Sequence, residues 1–221
     1  MRRASIDTNI IGHLYRSNTI HLITNLFDEV LVDEFITQEL RRRCRDIYDD
    51  FINDIEDPNS PFVLVDKSYL RERSLLQLYK IQLSELENLF LPKDEGEKRA
   101  VALALSTGVF FLLTDDEKSM DGPYHMIDRG LIDNMDSLAF WDLIFLNVAR
   151  KYIGFDKAKE NFEAICMDGY LPDGYKGEFK SKINHSIRRL KEKEWFKAHL
   201  ENGDIQRRTI ANFIRFVKGQ K

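Results

Sequence analysis

Cysteine is scarce in this chain. Only Cys44 and Cys166 occur among 221 residues, each on the apolar face of a helical pattern with no second thiol close by. That argues against a disulfide-built scaffold or a cysteine-rich zinc site and points to buried thiols in a reducing compartment. Long apolar runs are lacking too. The longest, around "VFFLLT" (109–114), falls far short of the roughly 20 residues that cross a bilayer, and no apolar signal core follows the "MRRAS" start. The expectation is a cytoplasmic protein with no membrane partner. The five histidines show no metal-ligand spacing. There is no P-loop, no GxGxxG fingerprint, no serine or cysteine nucleophile motif, no internal repeat and no low-complexity tract.

What the chain does have is the composition of a folded globular protein: 43% hydrophobic, 11% aromatic and 32% charged residues. Its length suits one core, or one core with a substantial appendage. The net charge of −4 conceals an asymmetry. Residues 175–221 hold 13 basic and 5 acidic side chains, a net of +8, against 20 and 32, a net of −12, for residues 1–174. A basic tail of this kind either meets nucleic-acid phosphates or docks on its own acidic body.

The hydrophobic pattern alternates between two periods. Residues 2–6 read as a short strand, and Asp7 to Asn9 as the start of a helix whose face carries Ile10, Ile11, Leu14 and Tyr15. "EVLVD" (29–33) reads as a second strand, with Thr37 as cap of a helix presenting Leu40, Cys44, Ile47, Phe51 and Ile55. The turn "DPNSP" precedes a third strand, "FVLVD" (62–66). A long helical stretch, closed by Pro92, comes next. The segment 96–108 reads as a helix stopped by Gly108, before the strand "VFFLLT", and "YHMI" (124–127) as a fifth strand. From Asp133 onward the pattern is helical. Strands this continuously apolar, alternating with helices, imply a parallel sheet covered on both faces. The expected organisation is an α/β domain over residues 1–132 and a helical extension with a basic tail over 133–221.

In such sheets ligands bind outside the carboxyl ends of the strands, where several acids fall. They are Asp7 after the first strand, Glu39 in the second helix, Glu97 in the helix before the fourth strand, and Asp115 with Asp116 after it. Each has a plain structural reading: Asp7 and Glu39 favour helix starts, and "KDEGE" and "TDDEK" are ordinary turns. Taken together they require more. Two carboxylates roughly 5 Å apart repel by about 3 kcal/mol at an effective dielectric near 20, so a cluster calls for a cation. All-oxygen donors suit Mg²⁺ or Mn²⁺ rather than zinc, and the chemistry such a centre supports is phosphodiester hydrolysis.

Three segments in order, "SIDTNIIGHLYR", "VDEFITQELRRR" and "DEGEKRAVALALSTGVFFLLTDDEKS", resemble the PIN-domain family, which includes VapC-like metal-dependent ribonucleases. The similarity spans roughly the first 130 residues. It implies a three-layer α/β/α fold with about five parallel strands, one or two Mg²⁺ or Mn²⁺ ions, and endoribonuclease cleavage leaving a 5′-phosphate. Residue by residue, it makes Asp7, Glu39, Glu97 and the Asp115–Asp116 pair metal-binding and catalytic, with Thr8 and Asn9 orienting Asp7. Successive residues of a strand face opposite ways, so only one of the pair points straight at a metal. Spacing from Gly108 favours Asp115, leaving Asp116 to bind through water or steer the attacking water. For a toxin, the resemblance further implies a small antitoxin over the acidic cleft and a homodimer. Strand one is more polar than the family's usual opening, and the 66–90 insertion makes the chain longer than a compact toxin.

In "RRRCR", Arg42, Arg43 and Arg45 follow Glu39 and suit RNA phosphates, or else form a solvated face paired with nearby aspartates. Trp195 and Phe196 among the bases of the tail suit either base stacking or the buried stripe of an amphipathic helix. Two alternatives stand beside the nuclease. One is a degenerate PIN-like module that binds RNA or protein without cutting. The other is a HAD-type phosphatase, whose chemistry wants a second aspartate where this chain has Asn9.

Overall fold

The apolar segments form five strands, β1 (Arg3–Ile6), β2 (Glu29–Asp33), β3 (Phe62–Val65), β4 (Phe111–Leu113) and β5 (Asp136–Leu138). They are seen in a computed structural model that describes residues 3–115, 122–169, 171 and 178–220, with Lys93 by its backbone alone. All pair in parallel, in the order β3-β2-β1-β4-β5. The chain therefore builds outward from β1 in one direction, then returns to its other side for β4. That reversal makes the space beyond the carboxyl ends of β1 and β4 a topological switch point.

Register explains the layers. Val63, Leu31, Ser5, Leu112 and Ser137 lie side by side across the sheet and so share one face. Helix α7 (Glu95–Thr107) covers it: Leu31 and Leu112 join Ala100 to Ala104 in one buried cluster. Ser5, small and central, brings the helix close and donates its hydroxyl to the Ala100 carbonyl at 2.9 Å. On the opposite face Phe62 meets Tyr15 of α1 (Thr8–Arg16) and Phe51 of α4 (Arg45–Glu56), with ring centroids 6.4 and 5.5 Å apart. The polar start of β1 is confined to Arg3, which pairs with Glu29 at 3.0 Å, while Ala4, Ser5 and Ile6 are fully buried. The result is the expected three-layer α/β/α arrangement with helices at the carboxyl-terminal end of the chain.

The local rules at the strand ends recur. Asp7, Asp33 and Asp66 each end a βα step and cap the helix that follows, accepting from the N–H groups of Ile10 (3.1 Å), Phe35 (2.8 Å) and Tyr69 (2.7 Å). The cap of the second helix, α3 (Glu34–Arg43), is thus Asp33 and not Thr37, whose hydroxyl instead donates to the Glu34 carbonyl at 2.8 Å inside the helix. Its apolar stripe does not continue as one helix: Cys44, at φ −131° and ψ 51°, separates α3 from α4, so Arg45 belongs to α4 and not to the helix of Glu39. The stretch after β3 also divides, into α5 (Lys67–Glu72) and α6 (Leu76–Leu86), with Ser74 at φ +59° between them. Pro92 opens a 3₁₀ turn, Pro92–Asp94, instead of closing a helix. Gly108 ends α7 at φ +65°, as its position predicts.

"YHMI" is not a strand. It lies in α8 (Pro123–Asp128), where Pro123 sits in the first turn with its φ already set for a helix. The fifth strand is Asp136–Leu138 inside the stretch that reads as helical, its two polar residues hiding it from any hydrophobic pattern.

The chain divides into two compact units, Met1–Tyr15 with Phe27–Ala139, and Arg16–Leu26 with Phe140–Lys221. The second is built around α9 (Phe140–Ala149), buried along all 10 residues and packed by α2 (His21–Thr24), α10 (Phe155–Asp168), α11 (Phe179–Glu192) and α13 (Arg207–Gly219). Phe145 stacks with Phe213 of α13 and with Phe196 of α12 (Glu194–Glu201), so Phe196 belongs to the core; Trp195, beside it, is half-buried. Asp142, fully buried, pairs with Arg189 at 2.8 Å and accepts from the Ser186 hydroxyl. Both cysteines are buried and neither is in a disulfide. Among the described residues no helix is long and apolar enough to cross a membrane.

Candidate metal centre

Three aspartates cap helices at the carboxyl edge of the sheet, but their second oxygens differ. Asp33 Oδ2 accepts from the Tyr79 hydroxyl at 2.5 Å. Asp7 is 1% exposed; its Oδ1 accepts from the N–H groups of Asn9 (2.9 Å) and Ile10 (3.1 Å), while Oδ2 is buried with no hydrogen-bond partner. Capping therefore accounts for one oxygen of Asp7 and leaves the other unexplained. The position is anchored from both sides, because the Asp7 N–H also donates to the Leu113 carbonyl at 3.0 Å, tying the end of β1 to the end of β4.

The surroundings of Asp7 are negative. Burial pushes its carboxyl well above the ordinary value of 3.8, and the charges of Asp115 and Glu97 push it further. Thr114 and the Ile10 N–H draw it back in part, although the Thr114 hydroxyl makes no bond of hydrogen-bond geometry. Residues 7, 97 and 115 are therefore electrostatic neighbours despite their separation in sequence. Asp115 follows β4 by two positions and meets Nδ1 of His13 through Oδ2. Glu97, in the first turn of α7, is 3.5 Å from the Asn9 side-chain amide.

Glu39 reaches the same region from α3. Its Oε2 accepts from the Thr8 hydroxyl at 2.6 Å, and its Oε1 pairs with Arg43 at 2.8 Å. A Cβ at position 96 would stand 2.5 Å from Glu39 Oε2 and 3.5 Å from Thr8 Oγ1, so α7 approaches this closely only because residue 96 is glycine. Thr8 thus holds Glu39, while the backbone N–H of Asn9 holds Asp7. Arg42, Arg43 and Arg45 are exposed, Arg43 being the one paired with Glu39. Asp116 lies outside the described residues.

Sequence reasoning gave His13 no role at the site, and Gly96 passed as part of a motif. A glycine in the first turn of a helix costs up to about 1 kcal/mol relative to alanine, and that local cost was the available signal. His13 lay within the first motif, one helical turn past the residues that hold Asp7.

The donor set suits a hard divalent cation: carboxylate oxygens only, mutually repelling, with one buried oxygen awaiting a partner. As placed, no three His, Cys, Asp or Glu side chains among the described residues are grouped to grip an ion. Asp115 is turned to His13, and Glu39 to Thr8 and Arg43. Both Glu39 oxygens are therefore engaged, whereas Asp115 has one oxygen outside its contact with His13.

No family model, no curated protein and no solved structure matches the chain.

Proposed function

We propose that this protein is a metal-dependent endoribonuclease of the PIN type. The observation that carries the reading is the buried, partnerless Asp7 Oδ2 at the switch point, with Asp115 and Glu97 acting on it. Asp7, Glu97 and Asp115 are the ligands, with Glu39 turning from Arg43 to join them. Asp116 assists. A bound Mg²⁺ or Mn²⁺ supplies charge neutralisation at the phosphate and a more acidic water. The protein's own groups do the positioning: the N–H groups of Asn9 and Ile10 aim Asp7, the Thr8 hydroxyl aims Glu39, and the Asn9 amide approaches Glu97. Arg42, Arg43 and Arg45 offer exposed charge to RNA phosphates. A toxin or defence setting, with an antitoxin over the acidic edge and a homodimer, belongs to the same proposal.

The test is cleavage of a pooled RNA library with Mn²⁺ or Mg²⁺, set beside EDTA and Asp7→Asn. Both controls abolish cutting on this reading; cutting that persists in them rejects it. A second reading has an observation of its own. His13 engages Asp115 and Arg43 pairs with Glu39 without any ion, as a module that binds RNA or a protein without cutting would require. That module retains RNA in a binding assay and leaves it intact with either metal.

A further inference from the structure

α1 begins at the carboxyl edge of the sheet. Its start is fixed by Asp7, and His13 follows on the same helix. The imidazole is 16% exposed as a side chain and the Asp115 carboxylate 2%. Nδ1 of His13 meets Oδ2 of Asp115, and opposite an ionised carboxylate, which only accepts hydrogen bonds, it is the donor. The contact engages one of the two carboxylate oxygens. It also opposes a specific force, because an ionised Asp7 and an ionised Asp115 repel each other.

We propose that His13 is a positioning residue of the metal centre, its Nδ1–H holding the Asp115 carboxylate beside Asp7 so that both face one divalent cation. This rests on the metal-centre reading above. Ligating carboxylates are commonly held by hydrogen bonds from groups that do not touch the metal, and removing such a group typically costs 10–100-fold in affinity. Asparagine can place an amide nitrogen near where Nδ1 stands, whereas glutamine places one where Nε2 stands, so the two substitutions separate donation to Asp115 from mere bulk.

The experiment is Mn²⁺ binding to the full chain followed by electron paramagnetic resonance, for wild type, His13→Ala, His13→Asn, His13→Gln and Asp7→Asn, with metal-free melting curves alongside. Expected are a loss of roughly 10–100-fold in affinity for His13→Ala, recovery of most of it in His13→Asn, no recovery in His13→Gln, and metal-free melting close to wild type for the asparagine variant. Binding by His13→Ala as tight as wild type, or tighter, overturns the proposal, as does an equal loss in the alanine and asparagine variants. Binding that Asp7→Asn abolishes and His13→Ala leaves unchanged overturns this proposal alone. No binding by wild type overturns the metal reading and this proposal with it.

Discussion

Replacing Asp7 with asparagine should make the metal-free protein more stable. The side chain is fully buried, with Asp115 and Glu97 opposing its charge. At an effective dielectric near 20 a like charge contributes on the order of 1–3 kcal/mol at separations of roughly 6–15 Å, so two of them would oppose an ionised Asp7 by about 4 kcal/mol in the middle of that range. Asparagine keeps the oxygen that accepts from Asn9 and Ile10 and puts an amide where Oδ2 has no partner. A buried amide left unsatisfied costs about 1–3 kcal/mol, which leaves a gain of about 2 kcal/mol, or roughly 4–8 °C in melting temperature. The pH dependence follows from the direction of the shift. Between the ordinary value of 3.8 and the raised folded value, the folded state binds more protons than the unfolded state at this group. Its contribution to stability therefore falls as pH rises through that window and stays lost above it. Asp7→Asn removes this slope. The assay is thermal unfolding by circular dichroism in EDTA, from pH 4 to pH 8, repeated with Mn²⁺, which should raise the wild-type transition and leave the variant's in place. A variant that melts below wild type at pH 8, or one that keeps the same pH slope, refutes the reasoning.

Other substitutions probe separate links. Gly96→Ala puts a methyl against Glu39 Oε2; the helix gains up to about 1 kcal/mol and loses the Thr8–Glu39 bond, of about equal worth, so unfolding should barely change while cleavage falls. Tyr79→Phe leaves Asp33 Oδ2 buried without its donor and should cost about 1–3 kcal/mol in urea unfolding with any RNA cleavage by the folded protein unchanged. Arg189→Ala takes the paired cation from the fully buried Asp142, leaving it the Ser186 hydroxyl, and should cost about 3–5 kcal/mol, seen as early loss of the second unit's protection in hydrogen exchange.

Strong local patterns were legible in the sequence. β2 and β3 are apolar runs, buried through Val30 to Val32 in β2 and at Phe62 and Val65 in β3, and Gly108 stops α7 with a conformation that few other residues accept. β5 was not legible, because three residues with Asp136 and Ser137 among them carry no period; they are buried by pairing with β4 and by α8, to whose Tyr124 carbonyl the Ser137 hydroxyl donates. The break at Cys44 interrupts no hydrophobic stripe, so periodicity runs straight through it. Residues 16–26 fold with the distant helices after Phe140, where the Asn147 side chain donates to the Leu22 carbonyl at 2.8 Å, a partnership no local pattern announces. At the site, the acid types and their places at strand ends were visible. The division of labour between the two oxygens of Asp7 was not, nor was His13 against Asp115, since both depend on which distant chains meet at the switch point.

The central claim is that one divalent cation relieves the crowding around Asp7. Crystals grown with Mn²⁺ and measured for anomalous scattering test it most directly. The account predicts a manganese peak within roughly 2.0–2.6 Å of Asp7 Oδ2, typical of hard-cation ligation, shared with Glu97 or Asp115 and gone in Asp7→Asn crystals. A map with no peak at the carboxyl edge of β1 and β4, or an undiminished peak in the variant, contradicts it.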